Sequence, residues 1–147
     1  MYQRILVTTD GSTLSKKAVR SAIDLAAATG ASLVALNVVP RYPMSYYEGG
    51  ISISPADINR IEKQWADDGQ AIVNTVEKTA QAAGVTVKTT VTRSDLVAES
   101  IIAAAKKHKC DLIVMASHGR KGIKRLLLGS ETQHVLTHSS VPVLVLR

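Results

Sequence analysis

Short apolar runs recur along the chain, and the stretches between them carry apolar residues at helical spacing. Residues 5–9 (ILVTT) are a β-rich run that ends in Asp10-Gly11-Ser12, the pattern of a buried strand entering a turn. Across 12–29, Ala18, Ala22, Leu25 and Ala26 share one helical face, and Gly30 follows where a C-terminal cap belongs. Residues 32–39 (SLVALNVV) predict a second apolar strand. Residues 40–54 hold two Pro, two Gly and three of the four Tyr, so they predict a long loop or lid. Ser54 then reads as the cap of a helix, with Pro55 at its first position and Asp57 three residues after the cap. Ile58, Ile61, Trp65, Ile72 and Val76 mark the apolar face of that helix to about residue 83, and Gly84 ends it.

Residues 85–92 alternate Val with Thr or Lys, which predicts a half-buried or edge strand. Ser94-Asp95 opens a third helix, with Val97, Ile101, Ala104 and Ala105 turned inward. Residues 111–116 (DLIVMA) predict a fourth strand, 130–138 a short fourth helix, and 141–146 (VPVLVL) a fifth strand. Strict alternation of strands and helices predicts an α/β fold: one doubly wound, Rossmann-like parallel sheet with helices on both faces. Its crossovers should be right-handed. The 147 residues, with no repeat or linker, predict a single domain over 1–147.

Composition adjusts this picture at three points. There is no Phe and a single Trp, so the core must be built from Val, Ile, Leu and Ala. A net charge of +6 favours an anionic partner without choosing one. The single Cys110 excludes an intramolecular disulfide and a Cys-rich zinc site, and it suits a reducing compartment. No apolar stretch is long enough to span a membrane and the first ten residues do not read as a signal peptide. A cytoplasmic protein with no membrane partner is therefore expected.

Open parallel sheets bind ligands beyond the carboxyl ends of their strands, where the strand order reverses. Two such ends stand out: Thr8-Thr9-Asp10-Gly11-Ser12, and Ala116-Ser117-His118-Gly119 with the loop that follows. About thirteen residues separate Ala116 from Ser130, against the usual 2–6 for such a loop. The loop holds Gly119, Gly122 and Gly129, the cations Arg120, Lys121, Lys124 and Arg125, and the apolar Leu126, Leu127 and Leu128. It leads into a helix start, where free N–H groups and the helix dipole favour an anion. Ser130 could cap that helix or turn its hydroxyl to a phosphate. These features suit a phosphate cradle; the alternative is a surface loop with an ordinary cap and solvated cations. It is neither a Walker A loop nor a dinucleotide fingerprint, since neither GxxxxGK[ST] nor GxGxxG occurs at the required place.

The residues "RILVTTDGS", "LVALNVV", "CDLIVMASHGRKGIKRLLLGSETQHVL" and "SSVPVLVLR" together resemble the universal stress protein (UspA) family over the whole chain. That family's ATP-binding signature is G-x2-G-x9-G-[ST]. Gly119, Gly129 and Ser130 match it, and Ala116 stands where the first Gly is expected. An Ala there is harmless if its φ is below zero and obstructive otherwise. The resemblance implies the strand order 3-2-1-4-5, with Asp10 and the Ala116 loop on either side of one crevice. It implies ATP with Mg²⁺ as the ligand, Asp10 near the ribose or a metal-bound phosphate, and the Val38 backbone against adenine. Gly119, Arg120, Gly129, Ser130 and Thr132 would line the phosphates, with Ala116, His118 and Glu131 in the same cradle and Thr8 and Thr9 as its floor. The implied role is a stress-response sensor or regulator.

Several of these residues admit other readings. Asp10 could hold Mg²⁺ or simply form the turn before a helix. A receiver-type phosphoacceptor is set aside, because the acidic cluster and strand-end Lys it needs are missing. Glu131, His134 and His138 have helical spacing that could bind a metal but lack a second ligand pair. Lys106, Lys107 and Lys109 could lower the Cys110 pKa, although a small buried residue is the simpler reading. Tyr42, Tyr46 and Tyr47 could close over adenine, face a partner, or sit in a disordered loop. Scattered Arg and Lys without an aromatic platform do not make a nucleic-acid surface. The apolar strand from Val141 to Leu146, if it lies at an edge, needs cover, and pairing with its copy in a homodimer would supply it. No residue reads as a dedicated base, so any ATP hydrolysis should be slow. An interaction module that binds no nucleotide is the alternative; a nucleotidyl-transferring enzyme ranks last, since no HIGH or SGGxDS sequence occurs.

Overall fold

The computed structural model describes residues 1–43, 53–119 and 128–147. Its elements are β1 (Arg4–Thr8), α1 (Thr13–Thr29), β2 (Ser32–Val39), α2 (Pro55–Ala82), β3 (Val87–Arg93), α3 (Val97–Lys107), β4 (Leu112–Ala116), α4 (Ser130–His138) and β5 (Val143–Leu146). All strands pair in parallel, in the order β3-β2-β1-β4-β5. The order reverses between β1 and β4, so the ends of these two strands flank a crevice.

Side chains alternate between the two sheet faces, and each face has its own core. Ile5, Val7, Leu33, Ala35 and Val114 pack with Ala18 and Ala22 of α1 and Val73 and Ala80 of α2. Leu6, Val34, Leu36, Ile113 and Met115 pack with Ile101 and Ala105 of α3 and Val135 of α4. Small Ala positions bring the helices close to the sheet, as a core without Phe requires.

Helix α1 is capped at both ends, by Gly30 as predicted and by Ser12, which the sequence pattern placed inside the helix. Ser12 Oγ accepts the Ser15 N–H at 3.2 Å, and Gly30, at φ 74°, donates its N–H to the Ala26 carbonyl. Ser54 caps α2 in the same way, accepting from the Asp57 N–H at 3.2 Å.

Three element starts differ notably from the sequence expectation, each because a polar group is used elsewhere. Helix α3 starts at Val97 rather than at Ser94: Ser94 Oγ accepts the Leu96 N–H in a local turn, and Asp95 Oδ1 accepts the N–H of Arg41. Strand β5 starts at Val143 rather than at 141, since Ser139 Oγ bonds both the N–H and the carbonyl of Val141. Strand β3 starts at Val87 because the Val85 N–H closes the end of α2 onto the Ala80 carbonyl.

Asp111 precedes β4 and ties it to the start of β1, accepting the N–H groups of Gln3 at 2.8 Å and Arg4 at 3.1 Å. Burial works against its charged form, but these backbone hydrogen bonds outweigh that and hold its pKa below the ordinary carboxylate value. Cys110 is buried, and burial pushes its thiol up to about 11. The neighbouring lysines therefore do not activate it.

Candidate functional site

The crevice is built by the ends of β1, β2 and β4 and by the start of α4. At the end of β1 the chain turns sharply. Gly11 has φ 80°, a left-handed conformation that few side chains tolerate, and its N–H bonds back to Thr9 Oγ1. This turn presents Asp10, whose Oδ1 accepts the Ser12 N–H at 2.9 Å. Thr9 itself is buried, with its hydroxyl 2.9 Å from that of Ser15. Thr8, half-buried, closes β1 beside Leu36.

Opposite Asp10 lies Gly119. A Cβ built there would stand 2.9 Å from Asp10 Oδ2, so the loop after β4 passes directly against the carboxylate. Glycine is needed here for approach, not for φ, since Gly119 is absent from the positive-φ residues. Ala116 is also in ordinary extended backbone, paired with Leu146 in the ladder and buried. The methyl group that departs from the expected Gly therefore introduces no backbone strain. His118 is half-buried, with its Nδ1 3.2 Å from Ser117 Oγ.

Helix α4 begins without a side-chain cap. Its N-cap is Gly129, not Ser130; Ser130 is the first helical residue and is exposed. Gly129 is pinned to the strand end by its N–H, which donates to the Ser117 carbonyl at 2.8 Å. Gly129 supplies no capping oxygen, so among the described residues the N-cap leaves the first N–H groups of the helix to another acceptor, for which an external anion is suited.

Two residues expected in the cradle have other partners. Thr132 is 2% exposed, and its hydroxyl donates to the Ala116 carbonyl at 3.0 Å, tying α4 to β4. Glu131 Oε2 accepts the Ala98 N–H at 2.9 Å, so it caps α3 from the neighbouring helix. His134 lies 3.4 Å from Glu99, and its ring sits over that of His138 with centroids 4.3 Å apart. Among the described residues no group of three or more His, Cys, Asp or Glu could hold a metal ion. Arg120 and the other loop cations, and Tyr46 and Tyr47, lie outside the described residues. Tyr42 stacks on Trp65 with ring centroids 6.2 Å apart, which commits it to α2.

The backbone of β2 completes the crevice. The Leu36 carbonyl accepts the Thr9 N–H and the Val39 carbonyl accepts the Ser94 N–H, so even-numbered residues bond toward β1 and odd-numbered ones toward β3. Val38 thus turns its N–H and C=O toward β1, beyond the last ladder position of that strand. One residue of this region was not anticipated. Asn37 is buried, and its Nδ2 donates to the Thr9 carbonyl at 2.8 Å, bracing the turn that carries Asp10. A polar residue inside the apolar run "LVALNVV" was the signal for it.

Comparison with known proteins agrees with this geometry. The model of the universal stress protein family matches residues 1–147. Universal stress protein MJ0531 of Methanocaldococcus jannaschii is 33% identical over 149 residues, covering 100% of this chain and 83% of that protein. The structure of universal stress protein UspA from Lactobacillus plantarum superimposes with a TM-score of 0.82 at 25% identity, over 99% of this chain and 98% of that one. A universal stress protein in complex with cAMP superimposes with a TM-score of 0.71 at 28% identity, over 99% of this chain and 97% of that one. The fold is that of an α/β protein with a crevice at the β1/β4 switch point. The chain belongs to the universal stress protein family.

Proposed function

We propose that this protein binds an adenine nucleotide, ATP with Mg²⁺ in the first instance, and serves in the cytoplasm as a stress-response sensor or regulator. The observation that carries the reading is the approach of Gly119 to Asp10 across the crevice, beside a helix start whose N-cap, Gly129, offers no side chain. The nucleotide-bound relative described above supports the choice of an adenine ligand.

In this reading the Val38 N–H and C=O recognise the adenine edge as a strand would. The N–H groups at the start of α4, with the Ser130 hydroxyl, receive phosphate oxygens. Gly119 and Gly129 keep side chains out of the phosphate path, and Arg120 adds charge to it. Asp10 suits Mg²⁺, which takes one or two carboxylates with phosphates and waters. The ion would neutralise phosphate charge, while Asp10, braced by the Ser12 N–H, keeps its carboxylate toward the crevice. Thr132 and Glu131 act behind the cradle, holding α4 against β4 and α3. In this reading Asp10 serves the ion and His118 pairs with the Ser117 hydroxyl, so neither is assigned as a general base and turnover of the bound nucleotide should be slow.

Pairing of β5 with its copy in a second subunit completes the proposal. β5 is an edge strand with Leu144 40% exposed, and a two-fold partner strand would cover it. Titration calorimetry with ATP, AMP and cAMP tests the ligand, each with and without Mg²⁺. Saturable binding of at least one adenine nucleotide supports the reading. Absence of heat and of any spectral change with all three leaves the interaction module as the function.

A further inference from the structure

The turn at residues 9–11 faces two ways. Asp10 points across the crevice to Gly119, while Thr9 and Gly11 line a separate groove between α1 and α2. This groove has a volume of about 440 Å³, within the range of small-molecule sites. Its floor is apolar: Val19 of α1 and Val76 of α2 form the base, with Ala71 and Ile72 along one wall. Thr75 and Thr79 also line it, and their hydroxyl protons are already given to the Ala71 and Thr75 carbonyls. They therefore add little demand for a hydrogen-bonding ligand.

The charge on the rim is one-sided. Lys16 and Arg20, one helical turn apart on α1, both line the groove, and among the described residues no carboxylate does. Neither makes an ion pair among the described residues. Both also lie in the first half of α1, whose opening turn contains no acidic residue. The helix field falls off within the first turn, so it gives neither cation a stabilising partner. An anion between them would balance the rim charge.

We propose that the α1–α2 groove is a second binding site, for an aliphatic carboxylate. Its head group lies between Lys16 and Arg20, and its chain runs along Val19, Ile72 and Val76. A carboxylate is preferred because the guanidinium presents paired donors that match its two oxygens. An uncharged chain would leave the cations unmet, and a short anion would leave the apolar floor exposed. The site is independent of the nucleotide reading, sharing with it only the 9–11 turn.

Methyl NMR of the full chain, titrated with decanoate below its self-association range, tests this. Saturable shifts at the Val19, Ile72 and Val76 methyls are expected. A Lys16→Gln/Arg20→Gln variant should weaken binding by at least about tenfold, since charge-assisted bonds are lost. Ala71→Phe, at an exposed position that leaves the core intact, should fill the groove and abolish the shifts. Decanol and acetate should each bind more weakly than decanoate by a similar factor. The proposal is overturned if decanoate gives no saturable shifts, if the double variant binds as tightly as the parent, or if decanol binds as well as decanoate.

Discussion

Gly69 shows how tightly single residues set this site. A Cβ there would lie 2.5 Å from Asn37 Oδ1 and 2.9 Å from Val39 Cγ1. Asn37 in turn holds the Thr9 carbonyl, so crowding at Gly69 reaches the turn that presents Asp10. Gly69→Ala is expected to lower stability by about 1–3 kcal/mol, as overpacking does; unchanged thermal unfolding would show that the helix shifts freely. Asp111 makes a pH-dependent contribution. Its folded pKa is below the ordinary 3.8, so its stabilisation is present above that value and is lost as pH falls through the folded pKa. Asp111→Asn should therefore flatten the acid limb of a Tm-against-pH curve, and an unchanged limb would exclude the residue as a contributor. Cys110, with its thiol raised to about 11, should resist alkylation at pH 8 in the native protein and react only on unfolding; rapid native labelling would contradict its burial.

At the scale of elements, the order of strands and helices was legible because each apolar run and each cap was locally unambiguous. The Ser12 and Ser54 caps and the Gly30 terminator function as their residue types predict. The differences fall where a polar group had a choice of partners. Ser94 and Asp95 could open a helix, but they serve a turn and the Arg41 N–H instead. Thr132 and Glu131 suited a phosphate cradle by position, yet their contacts with Ala116 and Ala98 depend on how α4 packs, which spacing alone does not encode. Gly119 was singled out by its spacing. Its reason, closeness to Asp10 more than a hundred positions earlier, belongs to the folded sheet.

For the whole molecule, parallel order places β3 and β5 at opposite edges. In β5 the Leu146 carbonyl accepts the Ser117 N–H of the loop after β4, so the alternate residues Val143 and Val145 direct their backbone groups outward. Val145→Pro removes one outward N–H without touching the β4 ladder. Sedimentation should show a homodimer for the parent and a folded monomer for this variant; a monomeric parent would contradict pairing through β5. Across the crevice, Gly119→Val would press a branched side chain onto Asp10 while leaving both cores untouched. The central claim is therefore tested most directly by titration calorimetry of the parent and of Gly119→Val with Mg-ATP. Saturable binding by the parent and at least about a tenfold loss in the variant is the predicted result. Equal affinity of the two proteins would contradict the proposed site.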